Sequence, residues 1–173
     1  LDIRVASTPV IFGEKVVLRL LDKSKPLYRF DDLGMPPSTH EIFADLVRSP
    51  FGMVICAGPT GSGKTTTLYA TLGELDTNER NVMTIEDPIE HRIPGVNQTQ
   101  VDVRGDMTFS DGLKAMLRQD PDVIMIGEIR DDETARIGIR AALTGVLVFS
   151  TIHASDAPGT IGNLYNFGIP GYQ

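Results

Sequence analysis

Residues 58–65 read Gly-Pro-Thr-Gly-Ser-Gly-Lys-Thr, which fits G-x-x-x-x-G-K-[ST] at every fixed position. No other feature of the chain constrains its fold as tightly. Glycines at this spacing let a turn aim successive backbone N–H groups at one point, and a side chain at 61 or 63 would obstruct whatever sits there. The object that fits such a cradle is a phosphate group, and a following helix points its positive N-terminus at the same anion. Lys64 then reaches the β- and γ-phosphates and the Thr65 hydroxyl ligates Mg²⁺. The motif requires a strand before it and a helix after it. The apolar run 53–57 and the helix-forming series 66–72 supply them. The candidate nucleotide-binding residues are Gly58, Pro59, Thr60, Gly61, Ser62, Gly63, Lys64, Thr65 and Thr66.

The remaining sequence extends this strand–helix alternation. Residues 2–6 and 15–21 read as strands with Pro9 and Gly13 breaking the chain between them, and the charged, Pro-rich stretch 22–37 reads as a linker. Segment 1–21 is too small to fold alone and is expected to be the tail of a preceding domain. Ser38 or Thr39 caps a helix over 40–48. Strands follow at 53–57, 82–85, 96–101, 123–126 and 146–152, interleaved with helices from 64 to 75, from Thr108 or Ser110 to 119, and from Asp131 or Asp132 to 143. Short apolar runs between amphipathic helices predict an α/β fold with a parallel sheet covered on both faces.

Phosphoryl transfer to water also needs a metal ligand and a group to orient or deprotonate the water. Two strand ends supply carboxylates on the edge where such sheets bind ligands: Glu86-Asp87, followed by Pro88, and Glu128 after the run VIMI. Gly127 stands where an Asp commonly ends this strand, so Glu128 is the carboxylate there that can act as base or hold the metal with Thr65. His153 follows VFSTI and emerges at the same edge. Asp122, Asp131 and Asp132 read as turn and cap residues, and Cys56 as a small buried strand residue. None of the three histidines has metal-ligand spacing. Arg4 and Arg19 read, by themselves, as ordinary strand charges.

Length and charge narrow the alternatives. The 173 residues allow one domain, or one and part of another. With 16 basic and 23 acidic side chains the net charge is −7, and no basic stripe is present, which argues against nucleic-acid binding. The uncharged stretches 49–63 and 141–155 are shorter than the ~20 apolar residues a membrane span needs. No signal peptide precedes Asp2 and Arg4. One cysteine rules out an internal disulfide and fits a reducing compartment.

The series GPTGSGKTTTLYATL, NVMTIEDPIEH, RQDPDVIMIGEIRDDETA and TGVLVFSTIHASDA resembles, in order, the motifs of the type II secretion and type IV pilus assembly ATPases. The opening DIRVASTPVIFGEKVVLRLL is similar to the end of that family's small N-terminal α+β (PAS-like) domain. The resemblance implies a P-loop RecA-like core at 38–173, truncated at its C-terminal end, preceded by that domain's last strands at 1–21 and a linker at 22–37. It implies a Mg²⁺-ATP-hydrolysing motor, hexameric when full length, cytoplasmic and docked on inner-membrane platform proteins, that drives pilin or pseudopilin assembly without inserting into the membrane. By resemblance, Glu86 helps position the attacking water, Glu128 is the catalytic glutamate, and His153 belongs to the family's histidine box. Arg4 and Arg19 match two arginines that reach the γ-phosphate. Val146 and Asn163 depart from a usual His and Arg. They motivate an alternative, an ATP-binding assembly module with weak hydrolysis; a pilus retraction or type IV secretion ATPase is the other.

Overall fold

The computed structural model describes residues 2–21, 28–102 and 107–171. Two strands, β1 (Asp2–Val10) and β2 (Gly13–Leu21), pair antiparallel around a two-residue loop, Ile11-Phe12. Five more form a wholly parallel sheet: β3 (Gly52–Ala57), β4 (Val82–Glu86), β5 (Asn97–Gln100), β6 (Val123–Ile126) and β7 (Leu147–Ile152). Their spatial order is β3-β7-β6-β4-β5, so β7 is inserted between the phosphate-loop strand and the strand leading to Glu128. Among the described residues five α-helices accompany them: α1 (Pro37–Val47), α2 (Lys64–Gly73), α3 (Phe109–Met116), α4 (Asp132–Leu143) and α5 (Ala157–Asn166).

The α/β class expected from the sequence is the one observed, and the physical reason is visible in β4, β6 and β7. Every residue of these strands is buried, so both faces must be covered. Met83, Ile85, Ile124, Ile126 and Val148 face Leu113 and Met116 of α3 and Ala135 and Ile139 of α4. The alternate residues Val82, Val123, Met125, Leu147 and Phe149 face Leu68, Tyr69 and Leu72 of α2 and Val47 of α1. Thr108 and Asp131 cap α3 and α4, accepting hydrogen bonds from the backbone N–H groups of Asp111 at 3.1 Å and Thr134 at 2.7 Å.

Several local expectations are corrected. Pro9 does not break the chain but lies within β1 opposite Glu14, because both strands of a two-stranded ribbon are edges and tolerate a missing N–H. Helix α1 starts earlier than Ser38 or Thr39 would set it, with Pro36 at the cap and Pro37 in the first turn, where a proline loses no helical hydrogen bond. Helix α2 stops at Gly73 and α3 at Met116, continued by a 3₁₀ turn, Leu117–Gln119. Helix α5 was not foreseen. It is capped by Asp156, which accepts from the Gly159 N–H at 2.7 Å, and carries Pro158 in its first turn.

In the stretch read as a linker, residues 22–27 lie outside the described residues, and beyond them a 3₁₀ turn, Phe30–Leu33, buries Phe30 against Phe43 with ring centroids 5.4 Å apart. The hairpin has two unlike faces. Ile3, Val5, Val16, Leu18 and Leu20 share one and are all more than half exposed. Arg4 and Arg19 sit directly opposite one another on the other.

Phe149 is 0 % exposed and Phe12 is 99 % exposed. Phe149→Ala is therefore expected to lower the unfolding free energy by about 3–5 kcal/mol, and Phe12→Ser to leave it within about 0.5 kcal/mol, by urea titration.

Candidate active site

Parallel pairing brings the carboxyl ends of the strands to one edge of the sheet. Ala57 is level with Ile152, and Ile85 with Ile126. The chain leaves β3 into the glycine loop, β4 into Glu86-Asp87, β6 into Gly127-Glu128 and β7 into His153. Four segments far apart in sequence thus converge on one rim.

The loop between β3 and α2 has the conformation that its glycines permit. Gly58, Gly61 and Gly63 have φ of +155°, +80° and +91°, a region that side-chain-bearing residues rarely adopt. A Cβ on Gly58 would lie 2.6 Å from the Ser62 hydroxyl, whereas at Gly61 or Gly63 it would project into open space. Pro59, Thr60, Ser62 and Thr66 are exposed around the loop. Lys64 begins α2, and its Nζ donates to the carbonyls of Gly58 at 2.7 Å and Pro59 at 2.9 Å, bracing the loop.

Beside the loop lies a cleft of about 80 Å³ lined by Thr65, Glu86, Asp87, Gly127 and Glu128 among others. Glu86 is 3 % exposed and, among the described residues, carries no cationic partner. Three neutral donors hold it instead: Thr84 Oγ1 at 2.5 Å and Gln98 Nε2 at 3.2 Å, both on Oε1, and the Tyr69 hydroxyl on Oε2. Tyr69 also accepts the Glu90 N–H at 3.1 Å, so one phenol ties α2 to the acidic strand end and the loop after it. Burial first, then the bond to Glu86 and its charge, push the Tyr69 phenol well above its ordinary range. It therefore serves as a permanent donor.

Glu128 is differently placed. Its side chain is 20 % exposed, its Oε1 accepts from Arg130 Nη2, and its Oε2 lies 3.6 Å from Nε2 of the exposed His153. Arg130 also approaches Asp87, Nη1 to Oδ2 at 3.8 Å, and Arg4 Nη2 donates to Asp87 Oδ1 at 3.0 Å. The Arg130 guanidinium is held above its usual range, chiefly by the Glu128 bond. Gly127 explains the absence of a carboxylate at its position: a Cβ there would come within 3.3 Å of the Ile85 carbonyl and 3.4 Å of Glu86 Cα.

The structure thus brings Thr65, Glu86, Glu128 and His153 together, and adds Arg4 through Asp87. The Arg19 side chain is exposed and makes no ion pair or hydrogen bond among the described residues. Tyr69 and Arg130 were not anticipated. Tyr69 lies five residues after Lys64, one turn onto the buried face of α2, and Arg130 two after Glu128; only spacing pointed to either. Cys56 sits in β3, where burial pushes its thiol up to about 11. Asn163 donates to the His153 carbonyl at 2.9 Å, holding the strand exit in place. Val146 packs half-buried against the α4 side of the core, at the end of β7 away from His153.

Among the described residues no group of three or more His, Cys, Asp or Glu side chains could hold a metal ion. A hydroxyl and a carboxylate on one cleft instead suit Mg²⁺, a hard ion that keeps several waters and takes its remaining ligands from substrate phosphates.

The model of the type II/IV secretion system protein family matches residues 1–173. The type II secretion system ATPase E of Vibrio cholerae is 54% identical over 168 residues, covering 97% of this chain and 33% of that protein. The chain spans about a third of the length of the curated relatives it matches. Among solved structures, the pilus retraction motor PilT with bound ADP superposes with a TM-score of 0.75 at 33% identity, over 99% of this chain and 53% of that one. The ATPase DotB of Legionella pneumophila gives 0.77 at 28% identity, over 98% and 47%. With the whole length matched and the phosphate-loop, acidic and His153 segments gathered on one sheet edge, the chain belongs to the type II/IV secretion system protein family.

Proposed function

We propose that this chain is the nucleotide-hydrolysing part of a secretion motor, binding Mg²⁺-ATP at residues 58–66 and hydrolysing it to ADP and phosphate. The observation that carries this reading is the cleft that Thr65, Glu86 and Glu128 share beside the glycine loop. Lys64 leaves the Gly58 and Pro59 carbonyls for the phosphates, and the Thr65 hydroxyl holds Mg²⁺ with Glu128 nearby. When bound, Mg²⁺ neutralises charge on the phosphate oxygens. Glu128 orients the attacking water and accepts its proton, with His153 beside it. Glu86, with its oxygens fixed by Tyr69, Thr84 and Gln98, acts as a rigid acceptor at the wall of the cleft rather than as a mobile base.

In the same reading, Arg4 and Arg19 face the phosphates from the hairpin. The exposed apolar face of the hairpin is covered by the rest of a small N-terminal domain, joined to a core that begins earlier than 38, at the Phe30–Leu33 turn packed on α1. The working protein is a homo-hexamer at the cytoplasmic face of the inner membrane, held there by platform proteins. No helix of the described residues is long and apolar enough to cross a membrane. The higher identity to type II secretion relatives than to PilT favours assembly and secretion over retraction.

A second reading, an ATP-binding module with weak hydrolysis, draws on the contact between Arg130 and Glu128, which occupies one oxygen of the base.

Phosphate release from Mg²⁺-ATP, measured alongside nucleotide affinity, separates the two. Lys64→Ala removes a charge-assisted contact of about 1.5–3 kcal/mol and is expected to weaken Mg²⁺-ATP binding at least about tenfold. Glu128→Gln should lower kcat by about 10²–10⁴-fold with affinity kept within about twofold; a wild-type protein no faster than Glu128→Gln would favour the binding module. Tyr69→Phe, which leaves Glu86 short of one donor, should cost about 1–3 kcal/mol in a denaturation experiment.

A further inference from the structure

The carboxylate of Asp87 stands between two arginines that belong to different parts of the molecule. Arg4, on the hairpin, donates to its Oδ1 at 3.0 Å. Arg130, two residues after Glu128, brings Nη1 to 3.8 Å from its Oδ2, while Nη2 of the same guanidinium is bonded to Glu128. The result is an alternating row, Arg4–Asp87–Arg130–Glu128–His153, closed at its far end by the 3.6 Å approach of His153 to Glu128. Asp87 is 28 % and Glu128 20 % exposed at the side chain, so these charges are only partly screened by water.

In such a row, partners compete. A carboxylate has lone pairs for two guanidinium groups; Arg130 faces Glu128 closely with Nη2 and Asp87 with Nη1 at 3.8 Å, so its charge is shared unequally between the two. Arg4 lies at the same sheet edge as the glycine loop, and its planar fork matches phosphate oxygens as well as it matches a carboxylate. A triphosphate seated on the loop carries more negative charge than Asp87 does and competes for Arg4.

We propose that Asp87 is a positioning residue that exchanges one arginine for the other. While Arg4 occupies Asp87, Arg130 stays on Glu128 and takes up the oxygen that would orient water. When Arg4 turns to the phosphates, Asp87 loses its close partner, Arg130 closes the gap to Asp87, and Glu128 is released. The hairpin's position and the readiness of Glu128 are thereby coupled through one carboxylate. This inference rests on the reading of Glu128 and the phosphate loop given above.

The test uses the full-length protein, with kcat and KM for Mg²⁺-ATP measured separately and ATP and ADP affinities measured by titration. Asp87→Asn is expected to lower kcat at least about tenfold while KM does not rise. Its ATP affinity should increase several-fold, because Arg4 is no longer held back, with ADP affinity unchanged. Asp87→Glu should restore most of the turnover. Removing the second arginine as well, in Asp87→Asn/Arg130→Gln, should recover kcat relative to Asp87→Asn alone, an outcome that loss of a merely structural contact cannot produce. A double variant as slow as Asp87→Asn, or an Asp87→Asn protein with unchanged kcat and unchanged ATP affinity, overturns the exchange. Parallel assays of Lys64→Ala and Glu128→Gln keep the two levels apart. If Glu128→Gln turns over like the wild type, the underlying reading of the site has failed; if it is inactive while Asp87→Asn behaves normally, only the exchange has failed.

Discussion

Everything at the candidate site depends on the parallel register of β3, β7, β6 and β4. Parallel strands deliver all their carboxyl ends to one edge, so the glycine loop, Glu86, Glu128 and His153 meet although nearly a hundred residues separate the first from the last. The register in turn rests on burial. Val82, Val123, Leu147 and Phe149 pack on α1 and α2 while their neighbours pack on α3 and α4, and slipping one strand by a residue would exchange these two sets between the faces.

Glu86 illustrates how the sheet also decides chemistry. Within β4, alternation puts it on the face of Val82 and Thr84, toward α2, and there Tyr69 and Gln98 close around it. A buried carboxylate without a cation is tolerable only when its lone pairs are met, and three donors meet them. Glu128, two residues beyond the end of its own strand, escapes this enclosure and keeps partial access to water. Two acidic residues that read alike as strand-end carboxylates therefore differ in kind: one is fixed in the wall of the cleft, the other is partly exposed between Arg130 and His153.

Much of the fold was legible because its signals are local. The run Val123–Ile126 matches β6 residue for residue, and the capping residues Thr108 and Asp131 work as short polar side chains before apolar periodicity should. What escaped lacked such a signal. Helix α5 runs through Gly159, Gly162 and Asn163, residues of poor helix propensity, and is held by its cap and its packing. The continuation of β1 through Pro9 depends on the ribbon having no third strand among the described residues, which only the assembled fold decides.

By itself the sequence determined the glycine loop, the parallel α/β pattern and the list of candidate carboxylates, because each is written in spacing or periodicity over a few residues. The partners of those carboxylates were settled only by the tertiary structure. Tyr69 meets Glu86 across seventeen positions and Arg4 meets Asp87 across eighty-three. Contacts of that range arise from which strand lies beside which and which helix covers which face. The chemistry of the site is therefore set where side chains from different elements meet on the same carboxylates.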